Sequence, residues 1–362
     1  MNRRDILYGI GRPLSPFYSL AMKTRERMYR YGVLASTRLD VPVVSVGNIT
    51  LGGSGKTPVV EYIAGMLQER GWKPAVVSRG YRGSTRGRVN VVSDGRSLLL
   101  TAEESGDEPR LLAEKLPGVP VLTGPARKYP AKRAVVEGAG AVILDDGFQH
   151  LSLKRDVDLV LFNTDTLAGN SRVFPGGDLR EPVSALNRCD AFLLTGVCQR
   201  NRERALRFAD LLNDRFPGHP VFLGEYTPTA LLQSHGSLPP DRLPIQHLAG
   251  TPLFAVAGIA NPENFLTTLQ DTGILHVVES KCHGDHHRYD RAGVAALCTM
   301  AELADAGAVV TTEKDMVKLR HHPWSLPLYA LQMEISFGQD FHEFLNARLL
   351  PPPADRPAAR RS

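Results

Sequence analysis

The sequence is poor in cysteine and contains no long apolar run. Its 362 residues include four cysteines, none of them in a C-x-x-C pair. A chain of this length needs no covalent staples, so this composition argues against a disulfide framework or a zinc ribbon and favours a reducing compartment. The longest apolar stretches, residues 141–144 and 159–162, are far shorter than the roughly 20 residues of a membrane-spanning helix. The apolar segment near the N-terminus is too short for a secretory signal, and we expect the protein to stay where it is made.

Low-complexity segments and internal repeats are also absent from the sequence. Hydrophobic residues make up 43% and charged residues 22%, which is typical of a soluble globular protein. Single hydrophobic cores stop growing at roughly 250 to 300 residues, so the length favours two packed domains.

Positive charge is concentrated at the N-terminus. Residues 1–39 carry eight Lys or Arg against two acidic residues, whereas the rest of the chain is nearly neutral. Ser15, as N-cap before Pro16, predicts a helix that extends to Tyr31. One face of this helix carries Phe17, Leu20, Ala21, Thr24, Met28 and Tyr31. A basic amphipathic helix of this kind either packs on the domain behind it or contacts a membrane, and no recognition signature supports nucleic acid as its partner.

A phosphate-binding loop is predicted between a strand at residues 41–46 and a helix at residues 59–69. Backbone N–H groups of such a loop bind phosphate oxygens, Lys56 reaches the β- and γ-phosphates, and the Thr57 hydroxyl can hold Mg²⁺. Thr50 stands where the consensus has glycine, so the following glycines would form the turn. The candidate nucleotide-binding residues of the loop are Thr50, Gly52, Gly53, Ser54, Gly55, Lys56 and Thr57.

An acidic pair follows a second predicted strand. Asp145 and Asp146 come directly after the apolar residues 141–144, as in a Walker-B edge, and are candidate Mg²⁺ ligands together with Thr57. The simpler alternative is that the two acids cap a turn. Gln149 and His150 extend the motif and are predicted to line the same nucleotide-binding edge.

Further units of strand and helix predict an α/β protein with a P-loop NTPase-like, mostly parallel sheet, a second, smaller α/β domain and an N-terminal amphipathic helix. The first domain adds strands at residues 74–77 and 119–122 and a helix at 110–115. The second has strands at 253–257 and 308–311 and a helix at 262–269. We expect a membrane-contacting segment at 1–39, a kinase domain at 40–225, the second domain at 226–350 and a flexible tail at 351–362. Because ligands bind at the carboxyl ends of parallel strands, we expect four residues of the first domain to converge, namely Arg79, Asp107, Arg127 and Asp145.

The combination of motifs resembles the tetraacyldisaccharide 4'-kinases of lipid A assembly over about residues 30–320. The shared segments are residues 46–58, 78–81, 106–109, 145–150, 179–182, 257–262, 285–287 and 311–315. The resemblance implies transfer of the γ-phosphoryl group of Mg²⁺-ATP to the 4'-hydroxyl of a tetraacylated glucosamine disaccharide 1-phosphate, giving lipid IVA. It also implies a peripheral location on the cytoplasmic face of the bacterial inner membrane.

Site residues of the family carry over onto matching positions. Arg127 and Arg180 are expected near the transferring or substrate phosphate, where a guanidinium fork suits phosphate oxygens, although each would otherwise be a surface ion pair. Asp107 lies at a predicted helix start and either caps that helix or accepts the hydroxyl proton. The resemblance implies His286 as its partner across the interdomain cleft.

Two other classes of protein share part of this pattern. A P-loop GTPase or ATPase of the metal-insertion chaperone type would have the same phosphate loop, but the sequence at 312–315 has its lysine one place late for guanine recognition. A nonenzymatic membrane adaptor that binds nucleotide would need no catalytic base. Nucleotide preference and lipid-dependent turnover distinguish the three.

Overall fold

Strands and helices alternate along the chain in a computed structural model that describes residues 3–81, 83–236, 238–285 and 287–349. The strands are β1 Val43–Gly47, β2 Pro74–Ser78, β3 Asn90–Ser93, β4 Val121–Thr123, β5 Ala141–Asp145, β6 Val157–Asn163, β7 Ala191–Val197, β8 Val221–His235, β9 Leu238–Leu243, β10 Pro252–Ala257, β11 His276–Cys282, β12 Ala308–Thr312 and β13 Leu328–Phe337. The helices are α1 Arg3–Gly11, α2 Ser15–Arg30, α3 Lys56–Glu69, α4 Ala102–Ser105, α5 Asp107–Lys115, α6 Lys128–Val136, α7 Arg202–Arg215, α8 Pro262–Asp271, α9 Arg291–Leu303, α10 Glu313–Leu319 and α11 Gln339–Arg348.

The strands form one sheet in the order β11-β10-β12-β13-β8-β7-β6-β1-β5-β2-β4-β3, with β9 paired to β8. The strands from β8 to β4 are parallel, as are those from β13 to β11, and the two blocks meet at the antiparallel pair β8/β13. The predicted mostly parallel α/β sheet is confirmed. We call residues 43–220 the P-loop half and residues 252–327 the second half.

The β8/β13 ribbon turns the carboxyl ends of the two blocks toward each other. Strand β7 pairs with the start of β8, and β12 pairs with the start of β13. These two starts lie at opposite ends of the ribbon, because Leu331 is opposite Leu231 while Phe337 is opposite Gly224. The carboxyl ends of the strands in each block therefore point toward the middle of the ribbon. Loops that follow the strands of both halves meet above it.

Helices cover both faces of each block because alternate strand residues point to opposite faces. In β1, Val44 and Val46 share a core with α3, α5 and α11, whereas Val43 belongs to the cluster under α6. In β10, Leu253 packs with residues of α8 while Phe254 packs with residues of α9. Strands buried on both faces form the continuous apolar runs seen in the sequence.

The predicted strands and helices of both halves are present, with boundaries that differ by one to three residues. Helix α3, for example, begins at Lys56 and contains Pro58 in its first turn, where a missing N–H costs nothing. The predicted domain boundary at 225/226 lies within β8, and the division into domains stays a prediction. The predicted tail at 351–362 lies outside the described residues.

Helix α2 packs through its polar side and leaves its apolar side exposed. The Tyr18 hydroxyl donates to the carbonyl of Arg180 at 3.1 Å, and Arg25 donates to the carbonyl of Gln149 at 3.0 Å. On the opposite face, Phe17 is 72% and Leu20 61% exposed. Phe17 and Leu20 of the predicted apolar face are therefore mainly exposed to solvent, whereas Met28 of the same face is half-buried.

The predicted N-cap role of Ser15 is wrong. A 3₁₀ turn at Arg12–Leu14 leads directly into α2, so Leu14 already has helical backbone angles, φ −89° and ψ −17°. The Ser15 hydroxyl instead donates to the carbonyl of Val173 at 2.8 Å and fixes the helix to the P-loop half. None of the helices in the described ranges combines the length and apolar character needed to cross a bilayer.

Candidate active site

The glycine-rich loop between β1 and α3 lines a cavity of about 1210 Å³ between the two halves. Gly55 has φ 72°, a left-handed conformation that favours glycine, and a Cβ atom there would collide with the Tyr226 hydroxyl. The Thr195 hydroxyl donates to the carbonyl of Ser54 at 2.9 Å. Strands β7 and β8 thereby hold the loop at the N-terminus of α3, where backbone N–H groups and the helix dipole favour phosphate.

Lys56 points from the first turn of α3 toward the end of β5. Its Nζ atom donates to Asn48 Oδ1 at 3.4 Å and lies 3.5 Å from Asp146 Oδ1. The side chain is 12% exposed, so its charge is weakly screened by solvent. A phosphate bound by the loop would lie beside this ammonium group.

Asp145 is a buried carboxylate with one unused oxygen. Ser78 Oγ donates to Oδ2 at 2.9 Å, but no group of the described residues donates to Oδ1. Burial and the nearby negative charge of Glu108 raise the pKa of Asp145 to about 6. A buried carboxylate oxygen without a partner is costly unless a cation or a proton occupies the site.

Asp146 is held in a different electrostatic environment from its neighbour. Arg180 Nη1 lies 2.9 Å from both carboxylate oxygens, and Arg127 Nη2 donates to the backbone carbonyl of Asp146 at 3.1 Å. Burial alone would raise the pKa of Asp146, but the positive charges of Lys56, Arg180 and Arg127 lower it to about 2. Its φ of 54° is unusual for a residue other than glycine and turns the side chain toward these cations.

The donor set at the end of β5 fits Mg²⁺. Asp145 offers an unpaired carboxylate oxygen, Asp146 remains ionised, and Thr57 lines the same cavity. Within the described part of the chain there is no cluster of three or more His, Cys, Asp or Glu side chains able to hold a metal. Mg²⁺ in nucleotide sites needs fewer protein ligands, because one or two carboxylates act together with substrate phosphates and water.

Gln149 contacts the glycine-rich loop and helix α2, and His150 lines the cavity next to it in sequence. Gln149 Nε2 donates to the carbonyl of Asn48 at 2.9 Å, next to the lysine of the phosphate loop. Burial and the positive charges of Arg127 and Arg155 lower the pKa of His150 to about 3. His150 is therefore neutral near pH 7 and does not add a charge to the site.

Most of the residues predicted to form the site line this one cavity. They are Gly52, Gly53, Ser54, Gly55, Lys56, Thr57, Arg127, Asp145, Asp146, Gln149, His150 and Arg180. Arg79 also lines it, so three of the four residues expected to converge, Arg79, Arg127 and Asp145, lie on this wall.

Three of the predicted residues are not placed on the cavity wall. Thr50 is buried within the loop, where its hydroxyl accepts a hydrogen bond from Asn48 Nδ2 at 3.2 Å. Asp107 is the first residue of α5, is not among the residues that line the cavity, and lies 3.3 Å from Lys318 Nζ. His286 lies outside the described residues.

The second half adds charged groups that had no assigned role in the sequence analysis. Lys314 Nζ lies 3.2 Å from Glu108 Oε1 of the P-loop half and 3.2 Å from Asp285 Oδ1, and all three residues line the cavity. Burial opposes the charge of Lys314, but the two carboxylates raise its pKa. Lys314 and Glu108 lie within motifs of the sequence, yet they are 206 positions apart, and no spacing rule pairs them.

Asp315 is not available to bind a guanine base. Its side chain is fully buried, and its Oδ2 atom accepts hydrogen bonds from the Gly258 N–H and the Thr312 hydroxyl, both at 2.8 Å. The 312–315 segment therefore forms the first turn of α10 and ties it to β10. This arrangement disfavours the alternative of a GTPase that recognises guanine through these residues.

Comparison with known proteins assigns the chain to a family. Residues 8–350 match the family tetraacyldisaccharide-1-P 4'-kinase. The chain belongs to this family. The tetraacyldisaccharide 4'-kinase of Desulfotalea psychrophila is 44% identical over 346 residues, covering 95% of this chain and 97% of that protein. The enzyme of the same name from Anaeromyxobacter sp. strain K is 39% identical over 353 residues, covering 96% of this chain and 92% of that enzyme.

A solved structure shares the fold. The apo form of LpxK from Aquifex aeolicus, in complex with ATP, matches with a TM-score of 0.75 and 28% sequence identity over 93% of this chain and 98% of that chain. The predicted P-loop kinase fold and the predicted family are both confirmed by these matches.

Proposed function

We propose that this protein transfers the γ-phosphoryl group of ATP to the 4'-hydroxyl of a tetraacylated glucosamine disaccharide 1-phosphate, forming lipid IVA in lipid A biosynthesis. Membership of the tetraacyldisaccharide-1-P 4'-kinase family over residues 8–350 supports this reaction. The chemistry needs a phosphate-binding loop, a cation site and an acceptor site within one cavity.

A single observation carries the proposal. The cavity that contains the glycine-rich loop and the acidic pair is also lined by Tyr18, Met22 and Arg25 of α2. The outer face of the same helix is apolar and exposed. A phosphate donor and an acceptor that keeps its acyl chains in a membrane can thus meet in one cavity.

Residues of the P-loop half bind and orient the phosphates. Lys56 and the loop N–H groups neutralise the phosphate charge, and Thr57, Asp145 and Asp146 would hold Mg²⁺. Bound Mg²⁺ would supply further positive charge to the phosphates. Arg127 and Arg180 lie near enough to Asp146 to contact phosphate oxygens at the same place and to stabilise charge that develops during transfer.

Asp107 and His286 are the proposed base. The acceptor hydroxyl is a poor nucleophile until its proton is accepted, and the family resemblance assigns this step to an acidic residue and a histidine from opposite sides of the cleft. Asp107 stands at the N-terminus of α5, where the helix dipole favours its ionised form. In this arrangement the carboxylate orients the imidazole, and the two groups act as a unit.

The N-terminal helices provide the proposed contact with the membrane, on the cytoplasmic face of the bacterial inner membrane. Exposed apolar side chains continue from α1 through α2 to the segment after it. They are Leu7, Ile10, Leu14, Phe17, Leu20, Tyr31 and Val33. Basic residues of the same segment would attract anionic headgroups, so the protein is expected to bind peripherally without spanning the bilayer.

Incubation of the purified full-length protein with γ-labelled ATP, Mg²⁺ and the tetraacyl disaccharide 1-phosphate in detergent micelles tests the reaction. Label should appear in a lipid product, and its position on the 4'-oxygen can be established by mass spectrometry. The Lys56→Ala variant provides the matched inactive control. Release of free phosphate without labelled lipid would contradict the proposal and favour an ATPase.

A further inference from the structure

Lys318 of α10 connects the proposed base to the second half. Its Nζ atom lies 3.3 Å from Asp107 Oδ2 and donates to the backbone carbonyl of His287 at 3.0 Å. Asp107 belongs to the P-loop half, whereas His287 follows directly after His286 in the sequence. One ammonium group therefore contacts both the carboxylate and the segment that carries its predicted partner.

The second half holds this ammonium group firmly. Nζ also lies 3.3 Å from Asp315 Oδ1 and 5.4 Å from the centre of the Tyr289 ring. Asp315 is itself fixed by the hydrogen bonds from Gly258 and Thr312 described above, and the Tyr289 hydroxyl donates to its Oδ1 atom at 3.2 Å. The Lys318 side chain is 14% exposed, so its interaction with the carboxylates is weakly screened.

Arg320 at the end of the same helix forms an ion pair that does not involve the proposed base. Arg320, which ends α10, forms an ion pair with Glu114 of α5 and so joins the same two helices at the opposite end of α5 from Asp107. This ion pair stabilises the packing of α5 against α10 and lies away from the proposed base. Lys318 differs because its contacts are with Asp107 and with the backbone beside His286.

We propose that Lys318 is a positioning residue for phosphoryl transfer. Its ammonium group fixes one carboxylate oxygen of Asp107, favours the ionised form, and links the carboxylate to the backbone of His287 in the second half. Lys318 itself exchanges no proton with substrate. The inference rests on the proposed role of Asp107 as part of the base.

Steady-state kinetics of the full-length protein with ATP and the lipid acceptor test this role. Lys318→Met should lower kcat by about 30-fold while KM for ATP stays within about twofold, because the phosphate loop is untouched. Lys318→Arg keeps the positive charge and should recover most of kcat. Arg320→Met, the matched control, removes an ion pair between the same helices but leaves Glu114 paired with Arg110, and should leave kcat within about twofold.

A double-mutant cycle separates positioning from a purely structural role. In the Asp107→Asn background, Lys318→Met should cost less than about twofold in kcat, since the carboxylate that it orients is already lost. Multiplicative losses, or a wild-type kcat in folded Lys318→Met, would overturn the inference.

One further double variant keeps the test valid if Lys318→Met does not fold. Lys318→Met leaves the buried Asp315 without its cation, and circular dichroism would show whether the variant folds. If it does not, Lys318→Met combined with Asp315→Asn removes both charges and should show the same fall in kcat. A normal kcat in that folded double variant would contradict positioning. An unchanged kcat in Asp107→Asn alone would overturn the proposed base and the inference together, whereas a low kcat there with a normal kcat in Lys318→Met would overturn only the inference.

Discussion

The two halves have the same architecture but use their charges differently. In the P-loop half, cations gather around an acid of the same half: Lys56, Arg127 and Arg180 all contact Asp146. In the second half, cations at α10 pair with acids of α5 across the cleft. These pairs are Lys314 with Glu108, Lys318 with Asp107 and Arg320 with Glu114.

The two halves are therefore expected to have different roles, although they share the same fold. The cations of the P-loop half surround the place where phosphate and metal would bind, so their task is to neutralise charge on the donor. Lys314 and Lys318 of the second half pair with Glu108, which lines the cavity, and with Asp107 at the start of α5, and these pairs exist only while the halves are together. The second half is therefore expected to influence alignment more than binding of the phosphates.

The largest effect is expected from removal of the cation in the proposed phosphate-binding loop, Lys56. Lys56→Ala should lower kcat at saturating Mg²⁺-ATP by at least about 100-fold, because phosphoryl transfer depends on positioning and charge neutralisation. Lys132→Ala, on the exposed side of α6, is the control for loss of a lysine. Near-normal turnover in Lys56→Ala would contradict the expected role of the P-loop half in neutralising phosphate charge.

The second-largest loss of kcat is expected from changes to the proposed base, whose two residues come from opposite halves. Asp107→Ala and His286→Ala should each lower kcat by about 100-fold with little change in apparent ATP affinity, since proton acceptance serves the acceptor and not the donor. The double variant should be little worse than either single one. Fully multiplicative losses in these kinetics would show two independent roles.

An ion pair across the cleft should have an intermediate effect. Lys314→Met leaves Glu108 and Asp285 without this shared cation and should lower kcat/KM for ATP by about tenfold, or about 1.4 kcal/mol. Lys314→Arg should retain most of the value. As a control, Lys281→Met removes an exposed lysine of the second half. Equal activity of Lys314→Met and this control would mean that the pair does not contribute to alignment.

Helix α2 packs on the P-loop half, so membrane contact is expected to bring the lipid to that side of the cavity. Replacing Phe17, Leu20 and Met28 together by serine should weaken binding to anionic vesicles by about tenfold in a co-sedimentation assay, and added salt should weaken the remainder. Serine at the exposed Leu206 and Leu211 of α7 is the matched control. Undiminished vesicle binding by the folded α2 variant would locate the contact elsewhere.

The last prediction concerns stability instead of activity and depends on His150 of the P-loop half. The folded-state pKa of about 3 lies below the usual 6.5, so between these values the unfolded chain binds more protons and the free energy of unfolding falls as pH falls. From pH 7 to pH 5 this should cost about 1–2 kcal/mol, which His150→Gln should abolish. Urea titrations of both proteins at the two pH values measure the difference. An identical pH dependence in both would contradict the neutral, buried state of His150.

Much of the P-loop half was predictable because its signals are local in sequence. The buried strand, the glycine-rich loop and the lysine at 56 are consecutive, and each has a direct physical reason. The acids at 145 and 146 follow their strand in the same way. The boundaries were less accurate, since a helix can begin two residues before a proline and a serine can lie inside a longer helical segment.

The contacts between distant segments were not predictable in the same way. Lys314 and Lys318 lie four residues apart on α10, and their partners on α5 are about 200 residues away. Only the antiparallel β8/β13 ribbon, which turns two parallel blocks toward each other, brings these groups together. The orientation of α2 was open for a similar reason, because an apolar stripe can face a protein core or a membrane.

The sequence by itself determined the family, the phosphate loop and the acidic pair, since each depends on residues that are neighbours along the chain or on motifs whose order is preserved. The tertiary structure decided which side of α2 is exposed, why Asp145 and Asp146 have opposite pKa shifts, and which cations reach across the cleft. These properties depend on burial and on charges a few ångströms away, and folding determines both by bringing remote segments together.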